Sequence, residues 1–269
     1  MHPQRRRQYL EAIGIEEWRL RARETPPPVA LPATGPAAPT AAAPAATPAA
    51  TPAATSAATP AAVPPAAHGT DVAAQWEALR AEVLACRRCP LHATRTQGVF
   101  GVGPLRCDWL VIGEAPGAEE DRRGEPFVGA AGQLLDAMLR AIGLDRRNNV
   151  YIANILKSRP PGNRDPRPEE VAACLPYLER QIALLQPRIV LAVGRIAAQN
   201  LLATDAPLGR LRGRVHHLGE RSTPLVVTYH PAYLLRTPGE KRKAWEDLKF
   251  ARSLYQQLTE GGSIDGNRS

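Results

Sequence analysis

The chain has 269 residues, with 34 Lys+Arg against 26 Asp+Glu, a formal charge of +8 and a sequence pI near 9.7. Outside an Ala/Pro tract it has no apolar run of about 18 residues, the length a membrane-spanning helix needs, and the prolines forbid that tract as a span. The basic balance favours a polyanionic partner, and four cysteines without an export signal point to metal or cluster chemistry in the cytoplasm more than to disulfides.

Residues 1–24 read as a short helical peptide. Tyr9, Leu10 and Ile13 share a helical face, Gly14 is a stop, and Ile15 and Trp18 add apolar surface. Arg5, Arg6 and Arg7 are followed by Gln8-Tyr9-Leu10-Glu11, where an export signal needs an apolar stretch. The segment reads as an Arg-rich tail or as a docking peptide for a protein partner. Residues 25–70 are almost pure Ala, Pro and Thr and hold 12 of the 27 prolines. Such a stretch cannot bury enough large apolar surface to offset its ordering entropy, so a disordered, extended linker is expected. About 200 residues remain, one ordinary domain, expected over 71–258 with a flexible tail at 259–269.

Within that domain strand and helix signals alternate. Residues 109–112, 150–153, 189–193 and 225–228 are continuous apolar runs, the pattern of strands buried on both faces. Helical stripes lie between and after them: Leu134, Leu135, Met138, Leu139 and Ile142; Val171, Leu175, Leu178, Ile182 and Leu185; Trp245, Leu248, Ala251, Leu254 and Tyr255. A further helix is expected from Arg195 to Leu202. The alternation predicts an α/β fold, a three-layer α/β/α arrangement on a central, mainly parallel, four-stranded sheet. In such folds ligands bind beyond the carboxyl ends of the strands. Those ends lead here into Gly113-Glu114-Ala115-Pro116-Gly117, Asn154, Gly194 and His230-Pro231.

The first of these loops is neither a dinucleotide fingerprint nor a phosphate loop. Its continuation, Glu119-Glu120-Asp121-Arg122-Arg123-Gly124-Glu125-Pro126-Phe127-Val128-Gly129, is poor core material and a good pocket wall. Asn154 closes an apolar strand, either bonded to nearby backbone or free to read the edge of a base. Lys157, Arg159, Arg164 and Arg167 form one basic group; Arg210, Arg212 and Arg214 a second; Arg236, Lys241, Arg242 and Lys243 a third. Those flanking the motif loops are candidates for phosphate contacts.

Gly113 to Gly117 with Glu120-Asp121, Pro126 to Gly129, Asn154 before Lys157, Arg159-Pro160-Pro161, and His230-Pro231-Ala232-Tyr233-Leu234-Leu235-Arg236 together resemble the type-4 uracil-DNA glycosylases. The resemblance runs from about Cys86 to Tyr255 and leaves the first 70 residues untouched. It implies an enzyme of base-excision repair that flips deoxyuridine from DNA and hydrolyses its N-glycosidic bond. Catalytic residues would be Glu120, Asn154 and His230. Glu114, Ala115, Phe127, Asn154 and His230 would bind the base, with Phe127 stacking on uracil and Asn154 pairing with its polar edge. Glu120 would position water or stabilise the cationic sugar, and His230 would stabilise charge on the departing base. Leu234 and Leu235 would wedge into the gap left in the stack. The chain is expected to act as a monomer on uracil-containing DNA. Rival readings are a non-catalytic uracil or damaged-DNA binding module of the same fold and an iron–sulfur redox or sensor protein.

The same resemblance implies a [4Fe–4S] cluster, and here the chain departs from the pattern. Cys86, Cys89 and Cys174 match cluster ligands, whereas Ser158 stands where another cysteine belongs. Cys107 matches no ligand and reads as a small buried thiol. A labile or incomplete cluster is expected, because a hydroxyl is a far poorer ligand for iron–sulfur than a thiolate. A three-iron cluster, no cluster, and a zinc site are the alternatives.

Overall fold

The computed structural model describes residues 69–260. The units expected at 1–24 and in the linker to residue 68, and the tail from 261, lie outside the described residues.

Four parallel strands make up most of the sheet: β1 (Trp109–Gly113), β2 (Val150–Asn154), β3 (Ile189–Val193) and β5 (Thr223–Thr228). The order is β2-β1-β3-β5, with Trp109 opposite both Val150 and Ile189, and Val190 opposite Leu225. Every residue of β1, β2 and β3 is buried. Alternate side chains feed two separate cores. Leu110, Ile112, Tyr151, Val190 and Val227 pack under α1 (Gly69–Ala85) and α4 (Pro168–Leu185), against Trp76, Leu79, Val83 and Leu178. Trp109, Val111, Ile152, Leu191 and Val226 pack on the other face under α3 (Ala130–Ala141) and α8 (Lys241–Glu260), against Leu135, Leu139, Leu248 and Ala251. Covering both faces is what demands continuous apolar strands, and the three-layer architecture follows. Shorter helices complete the chain: α2 (Ala118–Arg123), α5 (Arg195–Leu201), α6 (Leu208–Leu211) and α7 (Pro231–Arg236).

The sheet has five strands, not four. β4 (His216–Leu218) pairs antiparallel with β5 as its outer edge, His217 opposite Pro224. Its three residues, two of them histidines, are half-buried or exposed, so no apolar run marks it. Pro224, which has no N–H for the ladder, is the second residue of β5 and precedes the first residue paired with β3, Leu225. Helix α1 was not foreseen either, although Trp76, Leu79 and Val83 recur at helical spacing and all three are buried.

Candidate active site

Gly113, Asn154, Gly194 and His230 stand together at the carboxyl edge of the sheet, where the topology directs a ligand. Gly113 ends β1 in register with Asn154 at the end of β2. A Cβ at Gly113 would lie 2.5 Å from both Asn154 Oδ1 and the Phe127 ring, so only glycine lets the amide and the ring converge. The Phe127 ring centre is 5.6 Å from that of His230, and His230 lies against Gly194 at the end of β3. Asn154 from the end of β2 and Phe127 and His230 from two loops thus come together.

Asn154 Oδ1 is fully buried and has no hydrogen-bond partner. An unsatisfied buried acceptor costs about 1–3 kcal/mol, a cost that a ligand's N–H would remove. Phe127 carries a second local cost. Its φ of 54° is left-handed, a region that side chains other than Asn and Asp rarely adopt, at about 1–3 kcal/mol. Unfavourable local states of this kind gather where a protein binds rather than where it only folds.

His230 caps α7, and its Nδ1 accepts the Ala232 N–H at 3.1 Å. The proton of the neutral ring is therefore on Nε2, the nitrogen left free to donate. Burial, helped by the Arg236 charge and opposed by Glu120, pulls the imidazole down to about 4. Glu120 accepts three backbone N–H bonds, from Gly117 at 3.1 Å, Val128 at 2.9 Å and Gly129 at 3.0 Å. Its carboxylate is a fixed charge that ties the segment after Phe127 to the start of α2. Glu114 is half-buried, and burial with the nearby Asp165 charge pushes its carboxyl up to about 7 against the pull of Arg195. Ala115, also half-buried, follows it in the same loop. The two leucines of α7 differ. Leu234 is 1 % exposed and belongs to the core, whereas Leu235 is 44 % exposed, so of the two only Leu235 presents its side chain to solvent.

The basic groups need a correction at Lys157. It is 1 % exposed, and its ammonium donates to the Asn154 carbonyl at 2.9 Å and to Gln181 Oε1 at 2.6 Å. Burial lowers it to about 7, and it is closed to phosphate. Arg164 is paired with Glu170, and Arg212 with Asp247 and the Tyr229 face. Arg236, Lys241, Arg242 and Lys243 remain exposed beside the His230 loop.

Cys86, Cys89 and Cys174 are half-buried or buried. Burial raises the Cys174 thiol, and Cys89 and Cys86 are close enough to add to the rise. Among the described residues no three His, Cys, Asp or Glu side chains are gathered as a ready-made metal site. Ser158 is buried, and its Oγ accepts a 2.8 Å bond from Arg95. The same guanidinium bonds the carbonyls of Val83, Leu84 and Cys86. Three soft thiols suit an iron–sulfur cluster, while the hydroxyl at the remaining position is already engaged. Cys107 is pushed up to about 11 by burial and packs against the α1–α4 core.

The family model of the uracil DNA glycosylase superfamily, a class of hydrolases, matches residues 100–249 of this α/β fold. Full-length relatives narrow this. The chain is 45 % identical over 174 residues to a type-4 uracil-DNA glycosylase of Archaeoglobus fulgidus, covering 62 % of this chain and 87 % of that protein. It is 44 % identical over 169 residues to one of Pyrobaculum aerophilum, covering 61 % and 86 %. Against one of Thermotoga maritima it is 40 % identical over 185 residues, covering 67 % and 95 %. The chain belongs to the type-4 uracil-DNA glycosylases. Among the described residues no helix is long and apolar enough to cross a membrane.

Proposed function

We propose that this enzyme extrudes deoxyuridine from DNA into the Phe127–Asn154–His230 pocket and hydrolyses its N-glycosidic bond, leaving an abasic site for repair. The observation that carries the reading is Asn154 Oδ1, buried without a partner beside Gly113 and the Phe127 ring. Uracil presents an N–H flanked by carbonyl oxygens, so its edge gives Oδ1 a donor and the amide N–H₂ an acceptor. Cytosine presents an acceptor and an amine there and would meet both amide groups with the wrong partner. A site built around such a bond rejects the analogue lacking it by about 10⁴–10⁵.

Bond breaking leaves negative charge on the base and positive charge on the sugar. His230, neutral and with its Nε2–H free, donates to the base as that charge grows. Such a donor is worth on the order of 10²–10³ in rate. Glu120, its carboxylate fixed by three N–H groups, supplies negative charge for the oxocarbenium-like sugar and fits this electrostatic role better than that of a mobile base. Leu235 fills the gap in the stack, and Arg236 with the lysines and arginine after it contacts phosphates.

Cys86, Cys89 and Cys174 would hold an iron–sulfur cluster, which would supply a covalent clip between the loop after α1 and the second turn of α4. Ser158, bonded by Arg95, leaves that cluster short of one thiolate. Incubation with an oligonucleotide carrying a single uracil tests the activity. Alkali-labile breaks at the uracil position support it; intact strands at enzyme excess overturn it.

A further inference from the structure

We propose that Arg146 is a positioning residue for base stacking: its guanidinium holds the Pro126–Phe127 backbone in the conformation that presents the Phe127 ring to the pocket. The proposal rests on the reading of Phe127 as the stacking residue. Arg146 lies in the loop between α3 and β2, nineteen residues beyond Phe127, and hydrogen-bonds neither Asn154 nor His230. Its Nη2 donates to the Phe127 carbonyl at 2.7 Å, and its Nη1 to the Pro126 carbonyl at 3.1 Å and to Glu125 Oε1 at 3.3 Å. Its Nε donates to Asp136 Oδ1 at 2.7 Å, and the side chain is only 12 % exposed. Two carboxylates therefore aim a rigid fork at two consecutive carbonyls.

Those carbonyls flank the residue whose φ is 54°. A side chain stays in that region only when its surroundings hold it there. Arg146 holds it from one side, and α3 from the other. A Cβ on Gly132 would lie 1.8 Å from the Phe127 oxygen, so the helix is packed hard against the same peptide. Lysine, with its donors on one nitrogen, cannot span two carbonyls and stay anchored to Asp136.

The test is a pair of double-mutant cycles on the full chain. Single-turnover excision of uracil should fall about 10- to 100-fold in Arg146→Met, with most of the loss retained in Arg146→Lys, while affinity for undamaged duplex is unchanged. In a Phe127→Leu background the same Arg146→Met change should cost less than about twofold, since there is no stacking ring left to misplace. Equal losses in both backgrounds overturn the proposal while leaving the excision reading intact. The second cycle needs no activity. Arg146→Met should lower the melting temperature clearly more in the parent than in a Phe127→Gly background, because glycine adopts positive φ freely. An equal drop in both overturns the holding role; an inactive parent overturns the excision reading instead.

Discussion

The Phe127 ring and the His230 imidazole lie with centroids 5.6 Å apart and planes tilted by 33°, joining the loop before α3 to the loop after β5. Neither residue comes from the same strand end as Asn154; Phe127 and Asn154 meet over Gly113, and His230 lies over Gly194. The pocket is thus a property of the sheet's carboxyl edge, and each wall can be perturbed separately.

His230 should remain neutral through the physiological range. Its imidazole is pulled to about 4, so an NMR titration of the ring should be flat near pH 6.5 and move only near pH 4. Because the folded value lies below that of the unfolded chain, the unfolded state binds more protons between those limits. The contribution of His230 to stability is therefore full above about 6.5 and lost as pH falls towards 4. Arg236→Gln should raise the His230 midpoint, since Arg236 helps to depress it. A midpoint near 6.5 in the parent would contradict the buried, neutral ring.

Glu120→Gln keeps the shape of the side chain but replaces one accepting oxygen by an N–H₂ that faces backbone N–H groups. Excision should fall on the order of 10²-fold, as for loss of a single preorganised electrostatic group. Stability should fall too, by about 1–3 kcal/mol for the lost charged hydrogen bonds. Denaturant titration and single-turnover rates check both. Wild-type rates would remove Glu120 from the chemistry.

Ser158→Cys should supply the missing thiolate. Iron and sulfide content after anaerobic purification should rise above the parent's, and the colour should bleach more slowly in air. Arg95 would lose its Ser158 acceptor but keep the carbonyls of Val83, Leu84 and Cys86. Four irons per chain in the parent, unchanged on substitution, would show that the site is already complete.

Arg236→Ala should weaken binding to any duplex and reduce the slope of log K against log salt by about one. Fluorescence anisotropy with undamaged DNA at several salt concentrations measures it. An unchanged slope would place the phosphate contacts elsewhere.

Legibility from sequence followed burial. β1, β2, β3 and β5 are continuous apolar runs because helices cover both faces, so their strand ends, and with them Asn154 and His230, could be located. β4 left no such trace, being an edge strand with two histidines among three residues. Lys157 reads as one of a basic group, but its charge is turned inward onto Gln181 and the Asn154 carbonyl, which no local pattern reveals. Leu234 and Leu235 are chemically identical neighbours that only the orientation of α7 separates. Arg146 could not be found at all, because its partners Pro126 and Phe127 are distant in the chain and meet it through main-chain oxygens.

The central claim is that Asn154 reads the polar edge of uracil. It is tested most directly by single-turnover rates of the parent and Asn154→Ala on matched oligonucleotides carrying uracil or cytosine at one position. The parent should excise uracil alone, and Asn154→Ala should lose on the order of 10²–10³ in that rate while folding normally. Excision of uracil by Asn154→Ala at the parent's rate, with cytosine still rejected, would contradict the account.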